Sequence, residues 1–376
     1  MSATLLEEFG TGNAREREES WRYSKTALRA LSQQDFVAAD AQAVLCVPLR
    51  AQFEWPQTAG RRLVFVNGAY SQTHSDVSRL GSALTIDHTA NQHLKLTIAA
   101  GLEGPVHLVY ANVPVAAPSR WQATSEIRLQ GGSVQIIEQH IGEAGADVLG
   151  TLTSDIAIGG HAVLHVASLS DLPDSVSLYR RTQADVASAA GCDCTHAIVG
   201  GRLQRFDIGV ALDGAQARFD SHGAFALRGR QHADVHLDVR HVARDTACDI
   251  VWRGVADQRS RGIFHGAITV AAGADGADAQ LSNKNLLLSP HAEIDTQPVL
   301  EIYADEVKAA HGATVGQLDE RTLFYLRSRG LPLEDARRLL IGAFCRSVFT
   351  GLTEAFLRER IEALLDARVS SEGGGA

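Results

Sequence analysis

From about Arg61 to Leu318 the chain is a nearly unbroken succession of short apolar runs, and helical patterns of ten or more residues are almost absent from it. Leu63 to Val66, Val106 to Tyr110, Val134 to Ile137, Ala162 to Val166, Ala233 to Val239, Ile263 to Val270 and Val299 to Tyr303 stand out. Apolar and polar residues often alternate within them, as expected of strands with one buried face. Small-residue turns separate the runs, as in Gly159-Gly160-His161-Ala162, Asp213-Gly214-Ala215 and Gly273-Ala274-Asp275-Gly276-Ala277. Such regular rungs predict a β-solenoid, in which each coil buries its apolar face against the next and edges are exposed only at the ends. At roughly 20 to 25 residues per coil, about ten coils fit. A β-sandwich shares the pattern and stays open at this point.

The character changes after Leu318. Asp319 is suited to cap a helix, Gly330 to end it and Pro332 to forbid its continuation. The next helix carries Ala336, Leu339, Leu340, Ala343 and Phe344 on one face, and a last one carries Phe356, Leu357, Ile361, Leu364 and Leu365. Near the start, Trp21, Tyr23, Leu28 and Leu31 follow the charged segment Arg15 to Glu19 at loosely helical spacing. The expected organisation is a short N-terminal helical cap (1–60), a β-solenoid core (61–318), a C-terminal α-helical domain (319–369) and a glycine-rich tail (370–376).

Composition narrows the function. Of 376 residues, 45% are hydrophobic, enough for a sizeable core. The net charge of -9 and the scattered arginines give no electrostatic footprint for nucleic acid. No run approaches the roughly 18 to 20 apolar residues of a membrane helix, and no basic start precedes an apolar segment. Cys46, Cys192, Cys194, Cys248 and Cys345 lack the spacing of a disulfide framework, so a reducing cytoplasm is expected. None of Lys25, Lys95, Lys284 and Lys308 follows a glycine, so no P-loop cradles a nucleotide on this chain. A cluster held by one chain takes four thiolates, and no local set exists here.

Three patterns carry candidate chemistry. The alternating stretch from Gln231 to His241 puts His232, Asp234, His236, Asp238 and Arg240 on one strand face, where two histidines and two carboxylates suit a divalent metal. A hydrated or partner-facing side of the solenoid is the simpler reading, with Ala233, Val235, Leu237 and Val239 in the core. Cys192-Asp193-Cys194-Thr195-His196 has one residue between its cysteines, not the two of zinc or thioredoxin-like sites, and reads as a turn into the Ile198-Val199 strand. Cys46, Cys248 and Cys345 read as small core residues. His311 is the third candidate: a neutral imidazole ligates iron well, and Gly312 beside it leaves room for close approach.

His311 opens the sequence His-Gly-Ala-Thr-Val-Gly, which is followed by Phe324-Tyr325-Leu326 and Arg327-Ser328-Arg329-Gly330. With these motifs the chain resembles the SufB/SufD family of iron–sulfur cluster assembly proteins. The likeness is dense from about Arg202 to Phe349, with scattered matches upstream at Trp21-Arg22-Tyr23 and Leu63-Val64-Phe65-Val66-Asn67-Gly68. The SufB branch has a cysteine in the strand before the Leu-Leu-Leu run and a His-Glu-Ala-Thr sequence. Asn283 and Gly312 stand at those positions, so the resemblance is to the SufD branch.

The resemblance implies a right-handed parallel β-helix acting as a scaffold and not as an enzyme. It would pair with a SufB-type subunit, or with a second copy when isolated, and recruit a SufC-type ABC ATPase in the cytoplasm. His311 would join a composite site for a transient iron–sulfur cluster shared with the partner, with His232 and His236 as weaker metal candidates. Phe324, Tyr325, Arg327, Arg329, Leu340, Phe344 and Phe356 are the expected interface residues. A flavin on the assembled complex stays open. Two rivals remain: a β-solenoid carbohydrate-active enzyme using Asp234 and Asp238, and a purely structural partner of SufB without a ligand site.

Overall fold

A computed structural model of the chain describes Leu5, Phe9 and residues 18–39, 60–79, 81–87, 92–351 and 358–364. Cys46, Phe356, Leu357, Leu365 and the tail from 370 lie outside them. From His93 onward consecutive strands alternate between two sheets, which hold ten strands each among the described residues. The first sheet runs β19 (Glu293–Ile302), β17 (Arg261–Val270), β15 (His232–His241), β13 (Leu203–Leu212), β11 (Ser177–Val186), β9 (Val148–Ile158), β7 (Ser119–Leu129), β5 (His93–Ile98), β4 (Leu84–Asp87), with β1 (Val37–Ala38) also on β7. The second runs β20 (Lys308–Gly316), β18 (Asp278–Leu287), β16 (Ala247–Ala256), β14 (Arg218–Leu227), β12 (Gly191–Gly200), β10 (Val163–Leu172), β8 (Ser133–Gly142), β6 (Val106–Asn112), β2 (Arg62–Val66), β3 (Ala69–Tyr70).

Pairing of each strand with the one two places on, in parallel, makes this a solenoid; a sandwich of hairpins would pair neighbours antiparallel. Among the described residues, antiparallel strand pairs occur where β3 joins β2 and β4 joins β5, with an isolated antiparallel bridge between Arg62 and Asp76. Paired residues lie 26 residues apart where Ser177 sits beside Leu203 and 32 apart where Arg261 sits beside Glu293. These coils are longer than the sequence periodicity suggests, and they number about eight instead of ten. The physical reason is that most coils spend two ten-residue strands on the walls, while the apolar runs mark only part of each.

The parallel register stacks like-facing side chains in rows. One inward row reads Val106, Ile136, Val166, Cys194, Ser221, Ile250, Leu281 and His311 from coil to coil. Large rings fill the middle of the interior: Phe206, Phe219, Phe225, Trp252 and Phe264 are all completely buried. They fit because neighbouring coils place glycine against them. A Cβ at Gly223 would fall 2.6 Å from the Trp252 indole, and one at Gly262 would fall 2.5 Å from the Phe225 ring.

Both flanks are covered. A 3-10 turn (Arg22–Ser24) and α1 (Lys25–Ser32) lie along the first sheet, where Trp21, Leu28 and Leu31 pack against Leu149, Tyr179 and Leu203. At the other end of the chain, the Asp319 carboxylate accepts from the Arg321 and Thr322 backbone N–H groups to start α2 (Glu320–Ser328), and Gly330 follows at φ 94°, as their sequence positions predict. Helix α3 (Leu333–Arg346) then buries Ala336, Ile341, Gly342 and Cys345. Its seat on the second sheet is made of small outward side chains, including Ala167, Ala197, Ala224 and Ala226. This turns the helix from its expected orientation: Leu339 and Ala343 face solvent, because the alanine-rich seat admits the Ile341–Cys345 side closely. No described helix is long and apolar enough to cross a membrane.

Candidate functional site at the open end of the solenoid

Among the described residues, β19 pairs only with β17 and β20 only with β18, so the last coil presents two sheet edges with a free side. Free edges are templates for pairing with another chain, and stable monomers normally blunt or cover them. Here apolar side chains stand in the open: Tyr303 is 65% exposed, Val315 42% and Ile302 41%.

His311 sits on this edge strand, exposed, and its pairing with Leu281 puts it on the inward row of the last coil. A side chain at Gly312, on the opposite face of the strand, would meet nothing within 4 Å. One coil deeper, Asn283 is fully buried and its carbonyl accepts from Asn285 Nδ2 at 2.5 Å and Thr296 Oγ1 at 2.8 Å. Asn285 also donates to the Thr314 carbonyl at 3.1 Å. These amides close the interior below the open coil. Among the described residues no group of three or more His, Cys, Asp or Glu is placed to hold a metal ion.

His232 and Asp234 do not face water or a partner. The N-terminal segment covers them: Ser24 Oγ donates to Asp234 Oδ2 and lies 2.9 Å from His232 Nε2. Arg205 Nη1 donates to Asp234 at 2.9 Å and to the Ser20 carbonyl at 2.7 Å, with its guanidinium over the Trp21 ring. Burial pushes the Asp234 carboxyl up, but Arg205, with His236 and His232, outweighs it and holds the group well below the usual carboxylate range. His236 Nε2 lies 3.0 Å from Asp234 Oδ1 and its ring stacks on His265. Only Asp238 and Arg240 of that face are exposed. The solvated reading fails because a segment some two hundred residues earlier in the chain occupies the face. As a carbohydrate-cleaving pair, Asp234 and Asp238 are badly placed: four residues along a strand is about 13 Å, beyond the roughly 5–9.5 Å of such carboxylates.

The Cys192–His196 stretch is strand, not turn, since β12 begins at Gly191. Cys192, Cys194 and His196 therefore share its inward face, with the two sulfurs 3.8 Å apart. Nearby in the interior lies a charged cluster that the strand runs did not disclose. Glu138 is paired with Arg180 Nε at 3.0 Å and with His140 Nε2 at 2.6 Å, all three buried. Burial raises the Glu138 carboxyl, yet Arg180 and His140 prevail and bring it down to about 2. Alternation in β8 holds the signal, because Glu138 and His140 share the parity of the inward Val134 and Ile136. Cys248 and Cys345 are core thiols, both pushed up to about 12 chiefly by burial.

The expected interface residues separate into two groups. Phe324, Tyr325, Arg327 and Arg329 are exposed on or just after α2, which buries none of its residues, and Phe324 is 73% exposed. Leu340 and Phe344 are half-buried, and Phe344 lies against the second sheet beneath the Arg253 guanidinium, so its packing is largely internal. Leu333 and Leu339 on α3 are exposed as well.

The chain is similar to known proteins over this same frame. An iron–sulfur cluster assembly SufBD family protein of Synechocystis sp. is 28% identical over 94% of this chain and 86% of its own length. The iron–sulfur cluster assembly protein SufD of Escherichia coli is 33% identical over 48% of this chain and 42% of its own length. SufD of Bacillus subtilis is 27% identical over 63% of this chain and 55% of its own. The family model described as the SufBD core domain of SUF-system FeS cluster assembly matches residues 125–344, from β7 through α3, and the chain belongs to that family.

Proposed function

We propose that the chain is a SufD-type scaffold subunit for iron–sulfur cluster assembly, not a catalyst, wound right-handed as parallel crossovers are. Its open last coil takes the matching coil of a SufB-type subunit, and the α2–α3 surface receives a SufC-type ATPase. His311 contributes its imidazole to a cluster built between the two solenoids and passed on as cargo. The observation that carries this reading is an exposed histidine on the inward row of an uncovered apolar edge. With Asn283 where the SufB branch has its cysteine, the thiolates come from the partner. A site divided between subunits opens when they separate, which gives ATP-driven motion a hold on it.

The test is co-expression with the SufB-type and SufC-type chains of the same host. The three should co-purify, and His311→Ala should leave the complex intact while iron and sulfide on it fall on the order of tenfold, the scale of losing a metal-site interaction. Unchanged iron and sulfide would make this chain a passive partner, and failure of the three to co-purify would sink the scaffold reading.

A further inference from the structure

The cysteine pair on β12 is used by none of this. Cys192 is buried between Leu164 and Phe219, whereas Cys194, between Val166 and Ser221, is only partly covered. The side chain of Cys194 faces inward, and its stretch of β12 also borders a groove of about 530 Å³ on the second sheet, lined by His165, Asp193, Cys194, Thr195, Asp220 and His222 among others. Two residues on, His196 is 2% exposed and stacks on Trp252, and neither of its ring nitrogens has a hydrogen-bond partner among the described residues.

We propose that Cys194 and Cys192 form a peroxide-reactive dithiol, with Cys194 the attacking thiolate and Cys192 the thiol that resolves it. The Cys194 sulfur attacks one oxygen of hydrogen peroxide: an S–O bond forms, the O–O bond breaks and hydroxide leaves, giving a sulfenic acid. Cys192 then attacks that sulfur, and the sulfenic oxygen leaves as water with the Cys192 proton. Two thiols have been oxidised to a disulfide and one peroxide reduced.

The surroundings support this division of labour. The hydrogen bond from Cys192, with the positive fields of nearby His196 and Arg180, lowers Cys194 below the ordinary thiol range against the opposing effect of burial. The same hydrogen bond, together with burial, raises Cys192. A thiolate is the reactive form, and a neighbour that keeps its proton is the one placed to follow. Residues two apart on a strand have Cα atoms roughly 6.6 Å apart, close to the upper end of the disulfide range, which makes such a bond strained and easily reduced. The modification is therefore reversible.

The full-length chain, treated with a small excess of hydrogen peroxide, should lose two hydrogens in mass and two alkylatable thiols. Peptide mapping should join Cys192 to Cys194 while Cys248 and Cys345 stay reduced, and dithiothreitol should restore both thiols. Cys192→Ala, which removes both the resolving thiol and the hydrogen-bond donor, should stop at a sulfenic acid on Cys194 that a cyclic 1,3-dione traps, and should move the pH inflection of Cys194 alkylation upward. Alkylation of Cys194 no faster than that of Cys248, or oxidation without a link to Cys192, overturns the proposal. Both readings use the unmutated protein and stand even if a variant fails to fold.

Discussion

His311 and Cys194 occupy the same inward row of the solenoid, four coils apart, with Ser221, Ile250 and Leu281 between them. At the usual strand spacing that is on the order of 19 Å, and the fully buried Trp252 and Phe264 fill the same interior. The proposed cluster site and the proposed dithiol therefore lie apart. Cys192→Ser and Cys194→Ser should leave iron and sulfide on the assembled complex close to the wild-type level, and His311→Ala should leave peroxide oxidation of the dithiol unchanged. Loss of cluster in either cysteine variant, measured by iron and sulfide content, would show that the two ends communicate.

Charge on the free edge should separate partners without unfolding either. Val315→Asp combined with Tyr303→Asp puts carboxylates on the surface proposed to meet the SufB-type subunit, and each side chain is already exposed in the single chain. The expected outcome is an unchanged melting temperature for the isolated chain and loss of the SufB-type subunit in size-exclusion chromatography. Co-elution at undiminished affinity would place the partner elsewhere.

For the ATPase, Phe324→Ala with Tyr325→Ala is the informative variant, and removal of residues from 331 onward is not. That deletion would strip α3 from Ala167, Leu169, Ala197 and Val199 and uncover an apolar sheet face. The double variant touches a helix with no buried residue, so it should keep the fold and weaken ATPase capture on the order of tenfold or more, as interface aromatics commonly do. Isothermal titration with the ATPase decides the point.

Acid should destabilise the chain through histidines that are buried neutral. Burial holds His232 and His241 down to about 4 and His107 down to about 3, against 6.5 unfolded. Between pH 6.5 and 4 the unfolded chain therefore binds protons that the folded chain does not, and stability falls as pH falls. Each such group contributes about 1.4 kcal/mol per pH unit within its window. His232→Gln should flatten the urea-derived stability curve by about one such slope between those limits, and an unchanged slope would refute the assignment.

The aromatic interior sets the largest single cost. Trp252 is completely buried, donates to Ser221 Oγ at 3.1 Å and stacks on His196. Trp252→Ala should cost about 3–5 kcal/mol, read as a drop in the urea midpoint at constant slope.

Much of this architecture is legible in the chain itself. The alternation predicts walls with one buried face, the small-residue turns fall between strands, and Asp319 and Gly330 mark both ends of α2. Contacts between residues far apart in sequence are what escape such a reading. His232 and Asp234 look like a solvated face until Ser24 and Arg205 are placed on them. The phase of α3 depends on alanines more than a hundred residues earlier in the chain, such as Ala167 and Ala197. Cys192 and Cys194 look like a turn because glycine and alanine precede them, although their strand starts at Gly191. His311 is legible as a residue, but its exposure follows only from β20 being the last strand of its sheet.

The rings that close the solenoid interior also limit how such a chain changes over time. Trp252 needs Gly223 on the coil before it, and Phe225 needs Gly262 on a coil after it. Each coil is therefore cut to fit its particular neighbours. A duplicated or deleted coil would set ring against ring or leave a hole, so this solenoid cannot lengthen or shorten by copying units, as repeat arrays do. Its length is inherited as a whole, and drift inside it must proceed by matched pairs, a bulky side chain shrinking on one coil as its partner grows on the next.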